Sequence, residues 1–305
     1  MRGREAGVGV RVLVSGAFGF VGRAVVRRLA ADGHEVWALA RRAEVPEGLP
    51  VGRVAVGDVR DAAVWQAALA EVDAVCHLAA LTRGRESVER PQSHWEVNLG
   101  GMEALLAALP ADRRPRVVFG STAAVYGAPE RQPIGEDAPP APGNPYGESK
   151  LAAERLLLAD AAVDGVVLRC FNAAGTGDVD EARIIPKALA VAAGRHPRLE
   201  LNGDGSVVRD FVHVDDMAAA YALALAAPTG RVYNVGATPA SVREIVATAE
   251  RVTGRRIPVV HRPAVAEAPR LVADTSLIRR ELDWRPVRSD LDTMIRDAWR
   301  SVAAG

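Results

Sequence analysis

A tyrosine and a lysine four residues apart, Tyr146 and Lys150, form the clearest chemical pattern in the sequence. Residues with this spacing share one helix face, and Asn144 and Pro145 suit the cap and first position of that helix. The lysine ammonium favours the phenolate and lowers a tyrosine pKa that starts at about 10. Such a tyrosine can act as acid or base toward a secondary alcohol. Upstream, Thr122 places a hydroxyl at the end of a predicted strand, where open parallel sheets bind ligands.

A glycine-rich segment near the start of the chain predicts a dinucleotide site. Residues 12–22 form an apolar strand pattern, three glycines and the first turn of an amphipathic helix. Gly16 permits a tight turn, Gly19 lets backbone amides approach a pyrophosphate, and Gly22 lets helix and strand pack closely. The negative ligand then lies at the positive end of the helix.

Two arginines, Arg41 and Arg42, follow the predicted second strand, where an acidic residue would bind the 2′-hydroxyl of NAD. Guanidinium groups suit a 2′-phosphate, so the cofactor is predicted to be NAD or NADP, with NADP bound at least as well as NAD. A pair of solvated surface arginines is the alternative. Asp58 is placed to meet the adenine edge, although an aspartate that forms a turn has the same pattern.

Short β-branched runs alternate with helical patterns up to about residue 170, which predicts an α/β fold with a Rossmann-like, doubly wound parallel sheet. We therefore predict a dinucleotide-binding domain at 1–172 and a smaller, mixed C-terminal substrate domain at 173–305, with segments that cross back to the first. The predicted strands are 12–15, 35–39, 51–56, 74–78, 117–121, 166–169, 199–201 and 232–235. The predicted helices are 21–31, 63–70, 96–108, 145–161, 184–193, 216–226, 242–253 and 291–303.

The composition is that of an ordinary globular protein. The chain has 305 residues, and its 38 Lys and Arg balance its 38 Asp and Glu, which gives no reason to expect nucleic acid or an anionic membrane as a partner. The start of the chain lacks the apolar region of a signal peptide, and no apolar run is long enough to span a membrane, so a cytoplasmic protein is expected. Cys76 and Cys170 are interpreted as core thiols, and no metal site is predicted.

Together these motifs resemble the extended short-chain dehydrogenase/reductases, and within them the UDP-galactose 4-epimerase-like NAD-dependent epimerases and dehydratases. The resemblance extends from Ser15 to Trp299. Besides the glycine loop, Thr122, Tyr146 and Lys150, it is carried by segments 57–58, 77–80, 97–101, 169–172, 183–186, 208–214 and 233–236.

The resemblance implies roles for individual residues. Thr122 would share a hydrogen bond with the reacting hydroxyl, Tyr146 would be the base, and Lys150 would hold Tyr146 and the nicotinamide ribose. The cofactor-binding positions are Gly16, Phe18, Gly19, Phe20, Val21, Gly22, Arg41, Arg42, Asp58, Val59, Leu78, Ala79, Ala80, Asn98, Tyr146 and Lys150. The substrate-binding positions are Thr82, Arg83, Thr122, Tyr146, Asn172, Ile185, Asn202, Arg209, Arg262 and Glu267.

Alternatives stay open at several of these positions. Arg209 would grip a diphosphate bidentately, but an ion pair with Asp210 or Asp215 is the competing interpretation. Arg83 suits either a substrate anion or a solvated loop. His77 and His213 are interpreted as packed, hydrogen-bonded histidines rather than catalytic ones.

The sequence departs from the group near the expected nucleotide. Asn202 stands where several members carry an aromatic residue that stacks on the base, and the loop at 203–208 is shorter. Glu267 stands in for the carboxylate that binds the ribose.

The function predicted from this pattern is that of a nucleoside-diphosphate hexose 4-epimerase, which oxidises C4 transiently and returns the hydride to the opposite face. An NADPH-dependent reductase of a nucleotide-linked 4-keto sugar is the alternative, favoured by Arg41 and Arg42. A non-catalytic nucleotide sensor would keep the fold, but the intact Thr122, Tyr146 and Lys150 argue against it. Apolar faces on the helices at 96–108 and 145–161, with the resemblance, predict a homodimer.

Overall fold

A computed structural model describes residues 9–110, 112–161 and 163–303. The predicted absence of a signal peptide rests largely on residues 1–8, which lie outside this range. The β-strands within the range are β1 (Arg11–Ser15), β2 (Glu35–Ala40), β3 (Arg53–Val56), β4 (Ala74–His77), β5 (Arg116–Thr122), β6 (Asp164–Cys170), β7 (Asn172–Ala174), β8 (Leu199–Asn202), β9 (Val208–His213), β10 (Arg231–Val235), β11 (Thr238–Ser241), β12 (Val259–Arg262) and β13 (Arg270–Leu271).

The α-helices of the same ranges alternate with these strands, and a short 3₁₀ helix (Ala123–Tyr126) follows β5. They are α1 (Phe20–Ala31), α2 (Ala62–Leu69), α3 (Gly84–Glu89), α4 (Pro91–Asn98), α5 (Gly100–Ala107), α6 (Pro145–Ala159), α7 (Ile184–Ala192), α8 (Val214–Ala224), α9 (Val242–Thr253), α10 (Ser276–Leu282) and α11 (Leu291–Ala303). None of the helices in these ranges is both long and apolar enough to cross a membrane.

Seven strands form a parallel sheet in the order β10-β6-β5-β4-β1-β2-β3, which confirms the predicted Rossmann-like fold class. The middle of β1 is a continuous apolar run because both faces of the strand are covered, and Val12, Leu13 and Val14 are fully buried. The strand order reverses direction between β1 and β4, and ligands of such sheets bind at the carboxyl ends of the strands beside this point.

The remaining strands form smaller sheets, as the predicted mixed domain requires. β9 pairs antiparallel with β11 and parallel with β7 and β13, while β8 and β12 form a parallel pair. The core beside β8 and β9 comes mainly from α7, α9 and α11, with Leu189, Ile245 and Ile295 nearly or fully buried. Within α9 and within α11 the buried side chains recur at helical spacing, which explains why these two helices were predictable.

The chain divides into two compact units, each assembled from separate segments. The first unit comprises the described residues of Met1–Ser121, Asn144–Leu168 and Tyr221–Arg231. The second comprises those of Thr122–Gly143, Arg169–Ala220 and Val232–Gly305. The domain bounds 1–172 and 173–305 stay a prediction.

The helices that end on clear sequence signals match their predicted bounds. α9 begins at a capping box formed by Ser241 and Glu244 and ends before Gly254, whose φ of +67° is the left-handed conformation. The predicted helix at 96–108 is wrong in two respects. Helical structure begins earlier, at Pro91, which suits a first helical position, and α4 and α5 are separated at Leu99, next to the Gly100-Gly101 pair. The short α3 and α10 were not predicted because one or two turns leave little periodicity.

One interpretation of the cysteines is corrected. Cys76 is fully buried, and burial raises the pKa of its thiol to about 12. Cys170, at the end of β6, is only half-buried and is not a core thiol. No group of three or more His, Cys, Asp or Glu side chains in residues 9–110, 112–161 and 163–303 is arranged to hold a metal ion.

Candidate active site

The glycine loop of the first unit lies between β1 and α1 and has the tight packing that its sequence predicts. Gly16 has a φ of +71°, and a Cβ there would lie 2.9 Å from the Ala79 nitrogen. A Cβ on Gly22 would lie 2.1 Å from the Gly16 oxygen, so only glycine lets α1 approach the loop this closely. Arg23 Nε donates to the Phe18 oxygen at 2.9 Å and braces the loop.

The start of α1 is arranged to receive a negative group. Gly19 is the N-cap of the helix, and because glycine has no side chain, it gives the first helical N–H groups no side-chain hydrogen bond. Helix N-termini present backbone N–H groups and the positive end of the helix dipole, here from Phe20 and Val21 onward. The loop is therefore shaped and polarised for the pyrophosphate of a dinucleotide.

Ser15 and His77 tie the glycine loop to the segment after β4. The Ser15 hydroxyl lies 2.7 Å from His77 Nδ1 and accepts hydrogen bonds from the backbone nitrogens of Leu78 and Ala79. Because that oxygen already accepts two N–H groups, its proton is directed at His77 Nδ1, and His77 accepts it. Burial, followed by the charge of Lys150, lowers the pKa of His77 to about 3. His77 is therefore a packed, hydrogen-bonded histidine, as predicted.

The end of β2, where the ribose was predicted to bind, is rich in positive charge. Arg41 and Arg42 follow β2 and are both exposed. Asp58 accepts a bidentate hydrogen bond from Arg60 at 2.9 Å, and this interaction, with a smaller contribution from Arg41, lowers the pKa of Asp58 to about 2. Asp58, predicted to meet the adenine edge, thus already has an arginine partner. Its carboxylate also accepts a hydrogen bond from the Arg60 backbone nitrogen, which is the turn given as the alternative interpretation.

Asn98 anchors the segment that lies beyond Leu78, Ala79 and Ala80. Its amide accepts from the Leu81 nitrogen at 2.8 Å and donates to the Leu81 oxygen and to Ser149 Oγ, each at 3.0 Å. Asn98 is 1% exposed, so its side chain positions the backbone and α6. Val59, another predicted cofactor residue, is also buried.

Tyr146 and Lys150 lie on α6 as their spacing predicts. Asn144 Oδ1 accepts from the Gly147 nitrogen at 2.9 Å, and Pro145 occupies the first turn, which fixes where the helix begins. Tyr146 is half-buried, and the His94 ring meets its ring edge-on with centroids 6.5 Å apart. Lys150 is 2% exposed, and its ammonium lies 4.0 Å from the centre of the Phe119 ring. The lysine is therefore a buried cation, held in part by an aromatic face.

Thr122, the last residue of β5, belongs to the second unit. It is buried, and its hydroxyl accepts from the Ala124 nitrogen at 3.2 Å, capping the 3₁₀ helix. At the end of that helix the Tyr126 hydroxyl donates to Asn234 Oδ1 at 2.7 Å. The Thr122 hydroxyl retains its proton for a further partner because a backbone N–H uses only one lone pair.

Arg209 and Glu267, both predicted to bind substrate, bind each other in the second unit. Arg209 Nη2 donates to Glu267 Oε2 at 2.6 Å, and Arg209 Nη1 donates to the oxygens of Val208 and Ala268. Burial lowers the pKa of Arg209, and Glu267 opposes this shift. The alternative ion pairs with Asp210 and Asp215 are wrong: Asp210 accepts backbone hydrogen bonds from the other face of β9, and Asp215 lies near His213 and Arg288.

Arg262 does not join this pair. It lies opposite Asn202 in the register of β12 and β8, and it is exposed. Its guanidinium donates to Glu200 Oε2 at 3.0 and 2.8 Å. Arg262, predicted as a substrate-binding residue, is thus engaged with a carboxylate of β8.

The other predicted substrate residues differ in their exposure to solvent. Asn172 is exposed and donates to the Asp210 oxygen at 2.9 Å, whereas Ile185 is 2% exposed and packs in the core of the second unit. Thr82 and Arg83 are exposed in the first unit, before α3. His213, as predicted, is packed and hydrogen-bonded, because its Nδ1 accepts from the Asp215 nitrogen at 3.1 Å.

Sequence reasoning missed polar residues that support the predicted ones. Ser15, Ser149 and Glu154 are buried, and each forms a hydrogen bond with a residue of another element. The signal that could have found Glu154 is its place four residues after Lys150, which puts both residues on one face of α6.

Comparison with known proteins places these features in one family. The model of the NAD dependent epimerase/dehydratase family matches residues 12–236. A UDP-glucose 4-epimerase of Streptomyces lividans is 39% identical over 95% of this chain and 95% of its own length. One from Lacticaseibacillus casei is 37% identical over 94% of this chain and 95% of its length.

Solved structures agree with the sequence matches. UDP-glucose 4-epimerase from Brucella ovis, crystallised with NAD, has a TM-score of 0.90 and 35% identity over 97% of this chain and 99% of that one. The enzyme from Stenotrophomonas maltophila, with bound NAD and formylated UDP-arabinopyranose, has a TM-score of 0.89 and 32% identity over 97% and 98% of the two chains.

Proposed function

We propose that this chain, which belongs to the NAD-dependent epimerase/dehydratase family, is a nucleotide-sugar 4-epimerase. The observation that carries the proposal is the pairing of a half-buried Tyr146 with a buried Lys150 on one face of α6. The relatives at 37 to 39% identity that cover nearly the whole chain are UDP-glucose 4-epimerases, which makes UDP-hexoses the first substrates to test.

The glycine loop fits the family's cofactor. A side chain on Gly16 or Gly22 would collide with backbone atoms, so the loop keeps a bare backbone surface at the N-terminus of α1. We assign the pyrophosphate to this surface, the ribose to the residues around Arg41 and Asp58, and the nicotinamide ribose to Lys150. When bound, NAD accepts a hydride from a sugar carbon and returns it.

Residues of the chain carry the proton chemistry. We assign to Tyr146, as the phenolate, the removal of the 4-hydroxyl proton while C4 is oxidised to a ketone. Tyr146 gives the proton back when the ketone is reduced on its other face, so proton and hydride both return to the sugar and no net oxidation occurs. Lys150 stabilises the phenolate electrostatically, and the Thr122 hydroxyl is assigned a hydrogen bond to the reacting oxygen.

The nucleotide half of the substrate is assigned to the second unit. Arg209 and Asn172 would bind the diphosphate, for which Arg209 must exchange its partner Glu267 for a phosphate. The released Glu267 carboxylate can accept a hydrogen bond from a ribose hydroxyl. Asn202 stands where several members of the group that the chain resembles carry an aromatic residue that stacks on the base, so selection of the base is expected to rely on hydrogen bonds.

A second candidate is an NADPH-dependent reductase of a nucleotide-linked 4-keto sugar. It would use the same Tyr146 and Lys150 but consume reduced cofactor at each turnover. The observation that favours it is the exposed pair Arg41 and Arg42, which suits a 2′-phosphate.

One assay separates the two candidates. The purified protein is incubated with UDP-glucose, UDP-glucuronate or a TDP-hexose, with and without NADPH, and products are identified by NMR. Isomerisation with no change in nicotinamide absorbance is expected. Stoichiometric oxidation of NADPH on a 4-keto sugar, without isomerisation, would identify the reductase. The Tyr146→Phe variant should lose about 10²-fold or more in turnover while it binds cofactor normally, and retained turnover would refute the assignment.

A homodimer is part of the proposal. Leu158 on α6 is 37% exposed, and a large apolar side chain on the outer face of a helix suits pairing with a second copy. Light scattering should give twice the chain mass. A monomer mass at micromolar concentration would contradict the dimer and leave the chemistry unaffected.

A further inference from the structure

Glu154 is a buried acidic residue for which the proposed reaction has no use. Its side chain is 1% exposed, and it accepts a hydrogen bond from Ser121 Oγ on β5, within the first unit. Burying a carboxylate is costly unless the group is hydrogen-bonded and its charge is matched. The free-energy cost of burying the Glu154 carboxylate therefore suggests that the residue has a role in function.

The position of Glu154 on α6 relates it to the reacting pair. Tyr146, Lys150 and Glu154 follow each other at intervals of four residues and therefore form one stripe along the helix. With a rise of about 1.5 Å per residue, Glu154 lies about 6 Å along the axis from Lys150 and about 12 Å from Tyr146. The carboxylate is thus one turn from the lysine and two turns from the tyrosine.

The surroundings of Lys150 show why a carboxylate matters there. The lysine is 2% exposed, and its ammonium lies 4.0 Å from the centre of the Phe119 ring, whose aromatic face is a weak counterpart to a full charge. His77, on β4, has its pKa lowered to about 3 by burial and by the charge of Lys150, so it does not add a second positive charge near neutral pH. Burial favours the neutral form of a lysine, and a carboxylate close to the ammonium favours the protonated form.

Other titratable groups on the elements around α6 are less well placed. His94 of α4 meets the Tyr146 ring rather than the lysine end of the stripe. The charged residues that α3, α4 and α5 contribute are exposed or half-buried, namely Arg85, Glu86, Glu89, Glu96 and Glu103. On α6 itself, Glu148 is exposed, whereas Glu154 is buried.

We propose that Glu154 is a positioning residue for the 4-epimerase reaction, whose buried carboxylate keeps Lys150 protonated and, through Ser121, holds α6 against β5. A protonated Lys150 is what allows Tyr146 to exist as the phenolate near neutral pH. The inference rests on the proposed function only in taking Tyr146 and Lys150 as the reacting pair. No bond is made or broken at Glu154.

The variant Glu154→Gln tests the proposal because it removes the charge of the side chain and keeps its shape. In Glu154→Gln, Lys150 loses its proton more readily, so the phenolate of Tyr146 should form at a pH higher by about one unit. This is measured as tyrosinate absorbance, with the Tyr146→Phe variant subtracted. The other three tyrosines, Tyr126, Tyr221 and Tyr233, are at most 2% exposed, so the signal of the half-buried Tyr146 is separable. In the epimerase assay, kcat at pH 7 should fall about tenfold, with KM within about twofold.

Two matched variants separate charge from hydrogen bonding. Glu148→Gln makes the same change at an exposed position of α6 and should leave the titration and kcat as in the wild type. Ser121→Ala removes the donor to Glu154 but keeps the carboxylate, so it should lower the melting temperature and leave the Tyr146 titration in place. An unchanged titration and unchanged kcat in Glu154→Gln would overturn the proposal.

The role of Glu154 can be tested even if Glu154→Gln does not fold. If Glu154→Gln fails to fold, the double variant Ser121→Ala/Glu154→Leu replaces both polar partners with apolar groups, which is close to neutral for stability. It should show the same shift of the Tyr146 titration, and no shift would again overturn the proposal. The titration needs no turnover, so an inactive wild type would refute the epimerase assignment without deciding the role of Glu154.

Discussion

Arg209 Nη2 lies 2.6 Å from Glu267 Oε2, which joins β9 to a segment 58 residues further along the chain. Both side chains were predicted to bind the substrate, and in this structure they form an ion pair with each other. If Arg209 binds the diphosphate, as proposed, its guanidinium must exchange the Glu267 carboxylate for a phosphate.

Replacement of Arg209 by lysine tests this exchange. Lysine keeps the charge but lacks the planar fork that binds two oxygens at once, so the affinity for UDP should fall about tenfold. Isothermal titration calorimetry measures it. Arg251→Lys, at an exposed arginine paired with Asp292, is the control and should bind UDP like the wild type. Equal affinity in Arg209→Lys would remove Arg209 from the diphosphate site.

The double variant Arg41→Ala/Arg42→Ala tests cofactor selection. If these guanidinium groups meet a 2′-phosphate, the Kd for NADP should rise about tenfold while that for NAD changes less than about twofold. Cofactor fluorescence quenching measures both. Arg27→Ala, at an exposed position of α1, is the control. A parallel loss of both affinities, or a strong NAD preference in the wild type, would show that the two arginines do not select NADP.

Gly22→Ala tests the close packing of α1 on the glycine loop. The added Cβ would lie 2.1 Å from the Gly16 oxygen, so the loop must move, and we expect a loss of about 2 kcal/mol or more of stability with weaker cofactor binding. Gly100→Ala is the matched control, because a Cβ there meets nothing within 4 Å. Thermal melts with and without NAD should show a drop for the first variant and none for the second. Equal melting temperatures would contradict the packing argument.

Asp178 should make stability depend on pH. Burial raises the pKa of this carboxyl to about 7 from its usual 3.8, although Arg183, 2.7 Å away, opposes the shift. Between these values the folded protein binds a proton that the unfolded chain does not, so this contribution is complete below the unfolded pKa and is lost as the pH rises through about 7.

The comparison with Asp178→Asn isolates that contribution. Relative to the variant, the wild type should lose melting temperature between about pH 4 and pH 8. Asp283→Asn, at an exposed aspartate, should give a difference that does not change over this range. A wild type that gains stability relative to Asp178→Asn as the pH rises would reverse the sign and refute the assignment.

Much of the first unit was predictable because its signals are local. The apolar run of β1, the glycines at 16, 19 and 22, and the four-residue spacing of Tyr146 and Lys150 each depend on neighbours in sequence. α9 and α11 were predictable for the same reason, since their apolar stripes and caps are local patterns.

The partners of charged residues were not predictable. Glu267 reaches Arg209 from 58 positions away, and Glu200 reaches Arg262 from 62. Nearby Asp210 was a reasonable candidate by proximity, but neighbouring residues on a strand face opposite sides. The Ser121–Glu154 bond escaped prediction because it depends on how α6 lies on β5, which no local spacing reveals.

The segmented composition of the two units has a practical consequence for dissecting the protein. Each unit is assembled from three stretches of chain, so no single truncation yields either one intact. A protease that cuts the chain where it passes from one unit to the other produces two fragments. Each fragment still packs within a unit that the other fragment helps to form. We therefore expect a nicked chain to remain one particle on gel filtration, and fragments expressed from either half to require their counterpart to fold.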